Sequence, residues 1–411
     1  MTITAQKEVL TLQFTASREY SLSLCENLLV EDFGLQAMPE TSPVKWHLAH
    51  TSWFYETFLL KPYLENYHCF HPQFEHLFNS YYNGVGQPFL RPKRGLLSRP
   101  SVDEIYRYRA HIDEQMLKLL SQPNDRLSSL VQLGIQHEKQ HQELILTDLK
   151  YCFFQNPLYP QYEPTPLPQS MAMAPTWSNQ SATLTTIGHN EESFCFDNET
   201  PQHKTYLTDH ALADRPVTNG EYLEFINNNG YQNSLLWLSD GWAWLQQQQI
   251  THPLYWVQQD DEWFEYTLHG LRPLDMHAPV SHINLYEADA YARWAECRLP
   301  TEFEWEHRFA SEFKQSNTER CFHPLINTTG TPQNHYGQVW EWTQSSYQPY
   351  PGFKVASGAV GEYNGKFMCN QMVLKGGSCL SPNQHIRASY RNFFYPSDRW
   401  QMTGIRLAKE L

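Results

Sequence analysis

Apolar side chains recur at helical spacing through the first 155 residues. Leu10, Phe14, Leu22, Leu24 and Leu28 predict a helix over residues 8–29. Thr41-Ser42-Pro43 reads as a cap followed by proline in the first turn, opening a second helix to about Leu60. Ser101-x-x-Glu104 is a capping box ahead of Ile105, Tyr108, Ile112, Met116 and Leu119, and predicts a helix over 102–121. A fourth runs from about Leu127 to Phe154. Four long helices with one extended connection, residues 62–100, predict a four-helix bundle. The pattern then breaks. Residues 156–180 are rich in Pro, Gln and Ser, lack periodicity and read as a linker. From 181 onward come short strand-like runs (182–188), a helix over Glu221–Asn228 and another over Tyr286–Glu296, with Gln246–Gln249 as a polar loop tract. The expected fold class is thus α plus α+β: a helical bundle over 1–155, a linker, and an α+β domain with much irregular structure over 181–411.

Composition narrows the function. The chain has 411 residues, 41% hydrophobic and 18% charged, which excludes disorder and allows two or three domains. A net charge of −14 disfavours nucleic acid and anionic membrane surfaces as partners. No apolar run reaches transmembrane length, and the first residues lack the basic-then-apolar order of a signal peptide. The eight cysteines form no CxxC pair, so a cytoplasmic location with reduced thiols is expected. Nineteen histidines are the main lead.

The strongest local feature is His137-Glu138-Lys139-Gln140-His141-Gln142-Glu143. Helical positions i and i+4 share one face, so His137 and His141 can bind one transition metal. Glu143 falls far around the helix from that face and reads as an inter-helix partner, whereas Gln140 borders it. The stretch also fits the zinc-protease pattern H-E-x-x-H, with Glu138 as general base. Leu144 and Thr147 stand where the longer protease form has Gly and His. A third ligand must come from another helix, and Trp46-His47-Leu48-Ala49-His50 offers both His47 and His50. Three neutral nitrogens leave positions open for O2 and substrates, which suits Fe(II), while the histidines alone leave Zn and Cu open.

Ser42-Pro43…Trp46…Leu48-Ala49-His50 with His137-Glu-x-Gln140-His141-x-Glu143 resembles the DinB-like domain of the ergothioneine-pathway sulfoxide synthases. The second half resembles the formylglycine-generating-enzyme (sulfatase-modifying factor, C-type-lectin-like) fold. The motifs are Pro216-Val217-Thr218-Asn219-Gly220-Glu221-Tyr222, Arg298-Leu299-Pro300-Thr301-Glu302, Gly337-x-Val339-Trp340-Glu341-Trp342, Gly376-Gly377-Ser378 and Arg391-Asn392. The resemblance covers nearly all of the chain. It implies an oxidoreductase that holds mononuclear non-haem Fe(II) through His50, His137 and His141. Such an enzyme uses O2 to join hercynine (trimethylated histidine) to cysteine or γ-glutamylcysteine as a sulfoxide. It also implies that Gln140 contacts the imidazole of hercynine and that Asn392 helps hold its ammonium end. Phe393, Phe394 and Tyr390 supply aromatic faces for a cation that has no N–H to donate.

Oxidative C–S coupling needs a proton or electron donor, and Tyr81 or Tyr82 in Asn79-Ser80-Tyr81-Tyr82-Asn83 fits that role. The pair resembles the tyrosines of the cysteine-using group. So does Phe393-Phe394-Tyr395, where the mycobacterial-type synthases carry an acidic residue. Arg94 and Arg99 are the candidates for the thiol's carboxylate. The segment after Gly376-Gly377-Ser378 holds Cys379 alone and not the copper-binding pair of formylglycine generators, so that activity is not expected. A selenoneine synthase (hercynine plus a selenosugar), an ovothiol-type histidine synthase and a DinB-type binding protein share the metal motif. Oligomeric state is not legible.

Overall fold

The computed structural model describes residues 3–121, 127–313, 321–326 and 335–411. The chain divides into two compact units: Met1–Leu158 with Val355–Tyr363, and Tyr159–Lys354 with Asn364–Leu411. Among the described residues no helix is long and apolar enough to cross a membrane.

The first unit is built on four long helices, α1 (Ile3–Ser23), α2 (Val44–Tyr55), α3 (Val102–Ser121) and α4 (Leu127–Phe154). The apolar stripe of α3 buries Ile105, Tyr108, Ile112, Met116 and Leu119, the residues its periodicity marks. Two details differ from the sequence reading. The helix over 8–29 begins earlier and ends at Ser23. The N-cap of α2 is Pro43, whose carbonyl accepts from the N–H groups of Trp46 and His47, while the Ser42 N–H goes to the Asp148 carboxylate. That end is therefore fixed by a tertiary bond and not by a local side-chain cap. At its other end α2 passes into a π turn over Glu56–Leu60. Glu56 is buried there and accepts from the hydroxyls of Tyr67 (2.5 Å) and Tyr108 (2.6 Å). Gly134 lets α4 approach α2 closely: a Cβ there would lie 2.5 Å from a ring carbon of Tyr55.

The second unit has twelve short strands among its described residues. β1 (Trp177–Gln180), β4 (His210–Ala213) and β12 (Ala408–Glu410) form one antiparallel sheet, and β2 (Thr183–Ile187) pairs with β3 (His203–Leu207). β5 (Trp256–Gln259), β6 (Glu262–Thr267) and β7 (Gly270–Pro273) form an antiparallel meander. The fourth sheet has the order β10-β9-β8-β11, from β8 (Trp340–Ser346), β9 (Met372–Lys375), β10 (Asn392–Phe394) and β11 (Thr403–Gly404), with β11 parallel to β8.

Three helices start at reciprocal capping boxes: α5 (Asn219–Asn227) from Thr218 and Glu221, α7 (Leu285–Trp294) from Asn284 and Glu287, and α8 (Glu302–Phe309) from Thr301 and Glu304. The glutamines read as a loop tract lie mostly inside α6 (Ser239–Gln248), with left-handed Gln249 as its C-cap. Straight-chain glutamine is a good helix former, and the tract only marks where that helix ends. Several buried charges of the interior are paired. Glu341 holds Arg406 through two bonds of 2.6 and 2.7 Å and accepts from the Trp305 indole at 2.5 Å. Glu302 likewise grips Arg391. Gly376 and Gly377 are adjacent with φ of 99° and 79°, a left-handed pair open to glycine at little cost.

Candidate metal centre

The i, i+4 spacing on α4 and the middle turn of α2 bring three imidazoles together. Among the described residues His50, His137 and His141 form the group able to hold a metal ion, with ligand atoms all within 4.8 Å of one another. Ring centroids are 4.6–4.9 Å apart. His50 is clamped between Trp46 (4.6 Å, 12°) and Trp53 (5.4 Å, 13°), and His137 stacks on Phe54 at 4.5 Å. His50 Nδ1 lies 2.5 Å from the Phe78 carbonyl and donates to it, leaving Nε2 with its lone pair. His47, the alternative third ligand, stands behind the cluster: its Nδ1 is 2.8 Å from Nδ1 of His141.

The residues fit a metal ion on physical grounds. Nε2 of His50 and both ring nitrogens of His137 are buried without a hydrogen-bond partner. An unpaired buried polar atom costs about 1–3 kcal/mol, and a cation bound at the lone-pair nitrogen of each ring would remove that cost at those atoms. Burial also holds the imidazoles neutral. It lowers His47 and, with the neighbouring rings, takes His50 and His141 well below the usual histidine value; His137 falls to about 3. Neutral imidazole is the ligating form.

Glu138 has no such freedom. Its carboxylate accepts from Ser21 Oγ at 2.7 Å, Arg109 at 2.9 Å and Arg18 at 3.1 Å. Burial pushes this carboxyl up, but the two guanidiniums override it and hold it at about 2. A base so acidic and so fully occupied cannot serve as the general base that the H-E-x-x-H reading requires.

The other predicted residues divide between the units. In the first, Tyr82 is fully buried, stacks on half-buried Tyr81 at 4.6 Å and lies 5.5 Å from Trp53. Burial raises both phenols, so both stay protonated. Arg94 is buried, donates to Ser42 Oγ (2.8 Å) and Ser80 Oγ (3.1 Å), and lies 3.4 Å over the Trp46 ring. Arg99 is exposed and donates to the Ser98 carbonyl, so the two arginines sit in unlike settings. Glu143 is buried. Gln140 accepts from the hydroxyl of Tyr363.

Sequence reasoning missed the segment that carries Tyr363. Within the first unit, Tyr363 meets His137 edge-on at 5.8 Å. Glu362 beside it accepts from the backbone N–H groups of Asn83 (3.1 Å) and Gly84 (2.7 Å), anchoring the Tyr81–Tyr82 loop. No local pattern marks this contact, since it spans more than two hundred residues of chain.

In the second unit Asn392, Phe393 and Phe394 form β10. Asn392 Oδ1 accepts from the next N–H at 3.0 Å, Phe393 stacks on Tyr347 at 4.1 Å, and Phe394 meets Trp400 edge-on. Tyr390 is buried against Trp340 and Phe196. Cys379 is half-buried.

Comparison with known proteins now adds to this geometry. Residues 13–145 match the DinB superfamily. Residues 173–318 and 311–411, more than half of the chain, match the sulfatase-modifying factor enzyme 1-like domain. The chain belongs to the sulfatase-modifying factor enzyme 1-like family. Within it, the resemblance to ergothioneine-pathway sulfoxide synthases holds along nearly the whole length. The chain is 28% identical to hercynine oxygenase of Mycolicibacterium smegmatis over 98% of itself and 99% of that protein. It is 27% identical to hercynine oxygenase of Mycolicibacterium thermoresistibile over 90% of itself and 88% of the relative. Ergothioneine biosynthesis protein 1 of Schizosaccharomyces pombe is 25% identical over 76% of this chain, which spans 44% of that protein. This sulfatase-modifying-factor-like chain thus pairs a DinB-type helical unit with its larger α+β unit.

Proposed function

We propose that the protein is an O2-dependent sulfoxide synthase of ergothioneine biosynthesis, joining hercynine to cysteine at a mononuclear non-haem Fe(II) held by His50, His137 and His141. The observation that carries the reading is the cluster of three neutral imidazoles, with unpaired nitrogens on buried His50 and His137 and a half-buried His141 beside them, in a chain similar end to end to hercynine oxygenases. Fe(II) held by these three histidines would supply the electrons for O2 activation, and a three-nitrogen protein set would leave room for O2 and substrates.

The chain's own residues supply the rest. Tyr81 or Tyr82 donates the proton, and a phenol kept protonated by burial suits that task. Gln140 receives the imidazole of hercynine, with Tyr363 setting the orientation of its amide. Asn392 with Phe393 and Phe394 takes the trimethylammonium end, and Arg94 takes the carboxylate of the thiol substrate. Arg99 is a weaker choice, because an exposed guanidinium binds a carboxylate in competition with water.

The test is O2 uptake by protein loaded anaerobically with Fe(II) and given hercynine, cysteine or both, with mass spectrometry of the products. Uptake that requires both substrates and yields hercynyl-cysteine sulfoxide is expected. No uptake with cysteine or γ-glutamylcysteine, but turnover with a selenosugar, would replace the reading with selenoneine synthesis.

A further inference from the structure

Behind the three clustered imidazoles lies a fourth histidine that the proposed reaction does not use. His47 sits on α2 one turn before His50 and is 2% exposed. Its Nδ1 is 2.8 Å from Nδ1 of His141, and its Nε2 is 3.1 Å from Oδ2 of Asp148. Asp148 lies two turns after His141 on α4, is itself buried, and uses the same oxygen to accept the Ser42 N–H at 2.8 Å.

The chemistry of the three groups fixes where the protons are. A carboxylate accepts hydrogen bonds and donates none, so the His47 nitrogen that faces Asp148 carries a proton. A neutral imidazole has one N–H, which makes Nδ1 of His47 a lone-pair nitrogen. The only bond that can form across 2.8 Å is then donation from Nδ1 of His141. Nε2 of His141 is left with the lone pair. His50 reaches the same state by another route, through the Phe78 carbonyl on its Nδ1. His137 has no protein partner on either nitrogen.

We infer that His47 and Asp148 are positioning residues: they lock His141 in its Nδ1–H tautomer and select Nε2 as the atom that ligates the metal. The inference rests on the metal reading of the three histidines and adds the pair that orders one of them. Ser42 completes the device, because its N–H pins the carboxylate oxygen at the start of α2. Partners of this kind typically change metal affinity by about 10–100-fold.

Two experiments on the full chain test it. The first is long-range 1H–15N correlation on protein labelled at histidine and loaded with Zn(II). His141 is expected to carry its proton on Nδ1 with Nε2 shifted by the metal, and His47 to carry one proton, on Nε2. Ligation of His141 through Nδ1, or a doubly protonated His47, overturns the inference without recourse to any variant. The second is Co(II) titration followed by visible absorption. His47→Phe is expected to weaken binding by about 10–100-fold, and His47→Asn, which keeps an acceptor and a donor, to recover most of it. A His47→Phe protein with the affinity and spectrum of the wild type overturns the inference. A His137→Ala protein that binds Co(II) as tightly as wild type overturns instead the metal reading beneath it, so the two failures are distinguishable.

Discussion

Replacing Glu138 by glutamine tests how the histidine-bearing helix is held. Glu138 is fully buried and accepts from Ser21, Arg109 and Arg18 at 2.7, 2.9 and 3.1 Å. Its carboxyl is displaced from an ordinary 4.5 to about 2, because the two guanidiniums outweigh the burial that would raise it. That displacement corresponds to roughly 3 kcal/mol of stability at neutral pH. Glutamine has nearly the same shape and keeps one acceptor, but it leaves two buried guanidiniums without their shared anion. Removing one partner of a buried pair costs about 3–5 kcal/mol, in line with the first figure.

For a unit of this size the expected loss in melting temperature is roughly 6–20 °C, read by far-UV circular dichroism at neutral pH. The pH dependence has a definite sign. A depressed carboxyl stabilises fully above its ordinary value near 4.5 and loses that contribution as pH falls through about 2. The gap between wild type and Glu138→Gln should therefore close on acidification. At temperatures where both are folded, Co(II) binding should be retained. A variant that melts within about 1 °C of wild type, or one that is stable but inactive, would refute the structural assignment and revive Glu138 as a chemical group.

Three further outcomes follow from the same geometry. Gly134→Ala places a methyl 2.5 Å from the buried Tyr55 ring and should cost about 1–3 kcal/mol by denaturant unfolding, whereas an unchanged midpoint would mean that α2 and α4 are not close-packed there. The double Tyr81→Phe, Tyr82→Phe protein should make less sulfoxide relative to cysteine sulfinate, and an unchanged product ratio would remove the phenols from the reaction. In the second unit, Glu199 is fully buried; burial raises its carboxyl, but Arg387 and Ser389 outweigh that and hold it below the ordinary value. Its stabilisation is present above pH 4.5 and lost as pH falls through the lower folded value. Glu199→Gln should accordingly be less stable at neutral pH and show a shallower acid limb, and parallel acid profiles would contradict this.

The parts of the structure that were legible in the sequence are those written locally. The i, i+4 histidines could be placed on one face because helix geometry alone decides it. The stripe of α3 was visible because each turn buries one of its apolar residues. What escaped was set by tertiary contact. Ser42 looks like a helix cap, yet its N–H is bound by a carboxylate more than a hundred residues away. His47 and His50 looked interchangeable as ligands, and the structure sets them apart by grouping His50 with His137 and His141 and placing His47 between His141 and Asp148. Glu138 fits the general-base position of the protease motif, and the motif does not reveal that two arginines on other helices share its charge. Tyr363 carried no signal of any kind, since the partners that make it relevant, Gln140 and His137, belong to a distant stretch of chain.

The membership of Val355–Tyr363 in the helical unit sets a timetable for biosynthesis. The rest of that unit ends at Leu158, about two hundred residues earlier. A ribosome adding roughly 5–20 residues per second needs about 10–40 s to cover that distance. Through this interval the nascent helices have their histidines but neither the Tyr363 phenol on Gln140 nor the Glu362 clamp on the Tyr81–Tyr82 loop. The histidine cluster is thus encoded early and finished late. A chain cut at residue 158 would represent an intermediate of synthesis and not a free-standing half of the protein.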